Sequence, residues 1–271
     1  MKPRDTQRPL PFWRAVRGVF DLSLEAMIWT RRSLLVGLFL GLPVLFGLLY
    51  HLVLVAQLPA RISGFELYGH VVVLFFVGKA LPLTALFYAT ALVADEIEGK
   101  TLTYLVTRPI PRVAVLAGKF LAYLGTTLSL SLPSLVLTFF LLTTARGGTG
   151  VGSAVPDLLR DLGVLALALL AYGALFTLLG VVLRRPLIPG LLFILVWELV
   201  VNLPGYLPRF TLTAWLRSLT RHRPPQEGLA GLFGGETLPT SECLLVLLAV
   251  SALCLAAAAW IFSRREYVLE Q

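Results

Sequence analysis

Residues 33–56 read SLLVGLFLGLPVLFGLLYHLVLVA, a run without one charged side chain. A helix needs about 20 mostly apolar residues to cross the hydrocarbon core of a bilayer. A helix that is apolar on every face is buried in a large core or in lipid. The run therefore predicts a membrane-spanning helix. Five further stretches meet the same requirement: residues 70–94, 113–143, 158–183, 187–207 and 241–262. The stretch 113–143 is longer than a crossing requires and contains Pro133, which predicts a tilt or a kink. The fold expected is an all-α membrane protein with six transmembrane helices.

Composition points the same way. Of 271 residues, 57% are hydrophobic and 14% charged, against about 25% charged in a typical soluble domain. Too little polar sequence is present to cover a water-facing surface, so lipid has to be the solvent for much of the chain. The net charge of +8 could suggest nucleic acid. The basic residues, however, sit in short connectors and in the first 32 residues, between the apolar runs. Flanks of membrane helices have this pattern, so membrane lipids and no nucleic acid are the expected partners. Cys243 and Cys254 share the last apolar run. Eleven residues of helix separate them by about 16 Å, too far for a disulfide within one helix. Residues 1–32 have no early apolar core, and the first run lacks a small-residue cleavage site, so that run is expected to stay in the membrane.

Orientation follows from the Lys and Arg between the runs. With the N-terminus in the cytoplasm, fifteen of the 23 Lys and Arg lie inside and seven outside, with Lys79 within a span. Both termini are then cytoplasmic, in the cell's inner membrane. The four arginines of the last outer segment (Arg209, Arg217, Arg221 and Arg223) run against the bias. The organisation expected is a cytoplasmic N-terminus with an interfacial helix over 1–32, a six-helix domain over 33–262 and a cytoplasmic tail over 263–271. The interfacial helix rests on Phe12, Trp13, Val16, Val19, Phe20, Leu24, Met27 and Ile28. These recur at three- and four-residue spacing, with Arg14, Arg17, Asp21 and Glu25 between them. Residues 208–240 predict a short interfacial or re-entrant helix around Trp215, Leu216 and Leu219, then a Pro/Gly-rich loop.

No catalytic signature stands out. Residues 94–101, ADEIEGKT, match a relaxed phosphate-binding loop only superficially. Such a loop needs glycines whose backbone amides wrap phosphate. Here Ala94 replaces the first glycine, three carboxylates occupy the phosphate position, and a membrane span precedes the motif where a buried strand should be. The chain is expected to lack an ATPase site, a catalytic centre, a metal site and a cofactor of its own. His51 and His70 read as interfacial histidines near the outer face.

The connector between the second and third runs is the informative region. Glu96 and Glu98 form an acidic stretch, and Gly99 and Thr101 a turn. Leu102 to Val106, including Leu105, form a Leu-rich short helix. Arg108, Pro109 and Arg112 follow, then Gly118 and Lys119 within the next span. This resembles the ABC-2 family of ABC-transporter permeases, with the interposed Lys100 as a departure. Six spans, an N-terminal interfacial helix and an outer segment before the last span are also similar to that family. The resemblance implies a half-transporter that pairs with a second copy or a close homologue. It also implies a separate ABC ATPase subunit, which binds ATP and Mg and docks on the short cytoplasmic helix over residues 101–107. Leu102, Leu105 and Val106 would be the apolar contacts, with Glu98 and Arg108 steering by charge. The substrate, the direction of transport and any accessory subunit stay open.

Polar residues inside the runs are the other candidates. Thr127, Ser131, Ser134 and Thr138 fall on one face of the third run, as a lining for a substrate path or as small hydroxyls for helix packing. Gly37 and Gly41, like Ala252 and Ala256, have the four-residue spacing of close helix contacts, within a protomer or at a dimer seam. Lys79 and Glu198 are charges within the membrane and are expected to find partners. Glu198 and Asn202 are four apart and share a face. These charges are also the basis of a second reading, an ion-gradient-driven secondary transporter.

Overall fold

The computed structural model describes residues 11–56, 63–92, 111–144, 151–183, 185–201, 211–222 and 239–264. Among them every regular element is helical, and there is no strand. The elements are α1 (Phe12–Ile28), α2 (Arg31–Val55), α3 (Gly64–Ala89), α4 (Arg112–Thr143), α5 (Val151–Val182), α6 (Leu187–Val201), α7 (Leu212–Leu219) and α8 (Thr240–Arg264). Five of these, α2, α3, α4, α5 and α8, are long and apolar enough to cross a membrane.

The sixth expected crossing is the shorter α6. Its 15 residues span roughly 22 Å at 1.5 Å each, less than the hydrocarbon thickness of about 30 Å. The remainder of the expected run, residues 202–207, lies outside the described residues. Two other helices begin earlier than their apolar runs suggest. α3 starts at Gly64, capped by Ser63, whose hydroxyl accepts the Glu66 N–H. α5 starts at Val151 and takes Asp157 into the helix ahead of the run expected from residue 158. A helix continues beyond the edge of its apolar run when the polar side chains there find partners, as Ser63 does at the head of α3 and Asp157 does in α5.

α3 and α5 form the centre. Most of the apolar length of α3 and α5 is buried, whereas that of α2 and α8 is mostly exposed. The outer helices turn Leu34, Leu38 and Leu45 of α2, and Leu245 and Leu253 of α8, away from the protein. Exposed aliphatic rows of this kind suit lipid and would aggregate in water. The main core cluster almost wholly encloses Tyr68, Phe76, Leu81, Tyr123, Phe139, Leu169 and Phe176, and a small second one joins Ala15 and Val16 of α1 to Ala114 of α4. α3 and α5 cross closely where a Cβ on Gly180 would stand only 3.0 Å from the Thr90 carbonyl oxygen. α1 lies along the first half of α4, burying Ala15, Val16 and Val19. A Cβ on Gly118 would come within 2.7 Å of the Val16 carbonyl oxygen, so only glycine admits α1 at this depth.

The middle of α3, Val71–Ala80, is wound as a π-helix, and the Leu81 N–H bonds the Phe76 carbonyl five residues back. Pro82 follows at once. Proline lacks an N–H and its ring crowds the carbonyl four residues earlier, here that of Gly78. Wider turns ahead of it relieve that crowding. Long π segments are rare and concentrate at functional sites. Pro133 in α4 is accommodated within one continuous helix.

Candidate functional site

Two ends of the bundle carry polar clusters. At the connector end, the described chain runs three residues past α3 to Leu92 and resumes at Pro111, just before α4. The Lys119 ammonium, two turns into α4, donates to the Leu92 carbonyl at 2.8 Å. A cation at a helix C-terminus satisfies an orphan carbonyl and opposes the helix dipole. Arg112 Nη1 donates to the Ser263 carbonyl at 3.4 Å, near the end of α8. The α1–α2 corner joins the same end. Thr30 caps α2 through the Ser33 N–H and donates to the Met27 carbonyl, as does Ser33 Oγ. Tyr88 Oη of α3 donates to Ser33 Oγ at 2.7 Å. The connector's own candidates, Glu96, Glu98, Gly99, Thr101, Leu102, Leu105, Val106, Arg108 and Pro109, lie outside the described residues. Of the expected coupling residues only Arg112 lies within them.

Within the bundle, Thr127, Ser131, Ser134 and Thr138 are all buried on α4. Their hydroxyls are spent on backbone carbonyls. Thr127 donates to Tyr123 at 2.9 Å, Ser131 to Thr127 at 2.7 Å and Thr138 to Ser134 at 2.8 Å. Ser134 reaches across to the Leu40 carbonyl of α2. This arrangement suits packing, since bonds to the preceding turn leave the surface of α4 apolar. A Cβ on Gly41 would meet nothing within 4 Å, and one on Gly37 would only brush Leu130. Ala252 and Ala256 on α8 are exposed. Neither small-residue pair is used for a close contact among the described residues. Lys79 is exposed on the π segment of α3, and the Glu198 side chain and Asn202 lie outside the described residues.

The opposite end holds a cluster that apolar-run counting overlooks. Asp161 of α5 is 2% exposed. Its Oδ2 accepts from Tyr68 Oη of α3 at 3.0 Å and lies 2.9 Å from His222 Nε2, three residues past α7. A Cβ on Gly69 would collide with the His222 ring at 2.7 Å, so the imidazole lies directly on the α3 backbone. One turn earlier on α5, Asp157 pairs with Arg221 at 3.1 Å, and Arg160 Nε donates to the Leu219 carbonyl. α7 is thereby fastened along its C-terminal side to α5. Its other side bonds through Thr213 Oγ1 to Tyr172 at 2.8 Å. Beneath α7 is a small pocket. It is lined by Gly78 and Pro82 of α3, Tyr172 of α5, Phe193, Ile194 and Trp197 of α6, and Thr213 and Arg217 of α7. The signal for this cluster was present as two acidic residues four apart at the head of an apolar run. Nothing local, however, pairs them with side chains some sixty positions later.

Residues 72–267 match the family model described as ABC-2 family transporter protein. That is well over half of the chain. The chain belongs to the ABC-2 family of transporter proteins. As an ABC-2 protein it is a multi-pass membrane permease of an ABC transporter, of a kind that is generally not itself catalytic and works with a partner ATPase. No curated protein matches it. The ABC-2 match spans the connector, Lys119, the α4 hydroxyls, Asp161 and His222, and begins inside α3. α1, α2 and Tyr68 stand before it.

Proposed function

We propose that this chain is the membrane-spanning half of an exporter or translocator that takes its energy from a separate ATPase subunit. It crosses the cell's inner membrane six times, with α6 as the fifth crossing in chain order. Both termini and residues 93–111 face the cytoplasm. Two such halves, identical or closely similar, assemble with two ATPases that bind ATP and Mg. The short segment 101–107 enters a groove of the ATPase through Leu102, Leu105 and Val106, flanked by Glu98 and Arg108. ATP-driven closure of the ATPases would then move the connector.

The observation that supports this reading best is the tie between the two chain ends that flank residues 93–110. Lys119 of α4 holds the Leu92 carbonyl, three residues past α3, at 2.8 Å, so a push on the connector would reach two membrane helices together. The positive-inside bias of the sequence supports the orientation. Replacing Leu105 by Asp tests docking, because it would bury an unpaired charge in the groove. The Leu105→Asp chain should insert in the membrane at the parental level and lose its co-purifying ATPase. Recovery of the ATPase at parental yield would contradict the assignment.

A further inference from the structure

The cluster around Asp161 lies at the end of the bundle away from Leu92 and Arg112, and it places a carboxylate inside a membrane helix. Such residues are rare and mark working parts of membrane proteins. Asp161 receives Tyr68 from α3 and His222 from the segment that follows α7. Asp157 and Arg160 hold Arg221 and Leu219 beside it. α7 buries Leu212, Thr213, Leu216 and Leu219, and its Thr213 and Arg217 form one wall of the pocket. Trp197, another residue lining the pocket, has a buried indole N–H with no partner among the described residues, and buried donors are seldom left unmet.

We propose that Asp161 is the positioning residue of a lid: its bridge to Tyr68 and His222 holds α7 closed over this pocket. Opening the pocket to the far side of the membrane requires that bridge to break. A buried carboxylate stripped of its donors is costly, so partial opening is disfavoured and the lid has two discrete positions. Gly69 fits the same role, because it lets the His222 ring lie flat on α3 when the lid is shut. This inference rests on the proposed orientation only for which side the lid faces.

The test uses the full-length chain in membranes, with Cys243 and Cys254 replaced by Ala and Ile194 by Cys. A membrane-impermeant maleimide is applied to either side, and modification at position 194 is read by peptide mass spectrometry. The parent should react slowly. Asp161→Asn should accelerate the reaction by about tenfold, the scale of losing one charge-assisted hydrogen bond, and Tyr68→Phe by less. Should Asp161→Asn fold poorly, a second pair decides. A Cβ on Gly69 lies 3.1 Å from the His222 Cβ, close to disulfide range. In Gly69→Cys with His222→Cys, oxidation should slow modification at position 194 and reductant should restore it. A rate indifferent to both Asp161→Asn and the reversible disulfide overturns the lid. A clamp-dependent rate seen only from the cytoplasmic side upholds the lid and sinks the proposed orientation.

Discussion

At the scale of single residues, Lys119 and Lys79 show two fates of a lysine near a membrane. Lys119 spends its charge on the Leu92 carbonyl. A hydrogen bond to a charged group contributes on the order of 1.5–3 kcal/mol. Lys119→Met should therefore loosen the exit of α3, and trypsin should cut the connector after Lys100 about tenfold faster, while Lys119→Arg stays near the parental rate. Equal rates for Met and Lys at this position would remove the clasp from the account. Lys79 belongs to the π segment, ten residues before the end of α3 at Ala89. Glu198 follows the start of α6 at Leu187 by eleven. At 1.5 Å per residue these are depths of roughly 15 and 17 Å from the same end. Equal depth would let the two charges meet, since charges within a membrane find partners. Lys79→Glu and Glu198→Lys should each impair expression, and the exchange of both should recover part of the loss. A double variant no better than the worse single one would end the pairing proposal.

At the scale of elements, close approach decides more than periodicity does. α1 has the amphipathic spacing that its sequence suggests, but what receives its apolar stripe is the Gly118 stretch of α4. Gly118→Leu should push α1 away at a cost of about 1–3 kcal/mol, the usual penalty for overpacking. The measurement is faster tryptic cleavage at Arg14 and Arg17 together with a lower Tm. Unchanged cleavage would mean α1 is held by other contacts. Helix positions were legible because twenty apolar residues in a row have one economical solution in lipid. Helix starts were not: Ser63 begins α3, and Asp157 extends α5 ahead of its run, by partnerships outside the apolar run. The π turns of α3 were equally hidden, since Pro82 alone permits either a kink or a widened helix.

At the scale of the whole molecule, α3 and α5 form a buried centre and α2 and α8 a lipid-facing margin. The stretch past α3, the start of α4 and the α1–α2 corner are tied at one end, and the α7 lid is clamped at the other. The family was legible from residues 96–119, because acidic, Leu-rich and Pro-x-x-Arg elements in that order are rarely met by chance in a simple loop. The Asp161 cluster was not, because it joins residues 68, 161 and 222, separations that no local pattern encodes. The central claim is that the connector is a cytoplasmic seat for an ATPase, with the α7 side facing out. Single cysteines at Gly148, Gly228 and Thr103, placed in the cysteine-free chain, test it with an impermeant thiol reagent. Positions 148 and 228 should react from outside intact cells. Position 103 should react only in inverted vesicles, and addition of the ATPase subunit should protect it. Labelling of position 103 from outside, or labelling that the bound ATPase leaves undiminished, would contradict the account.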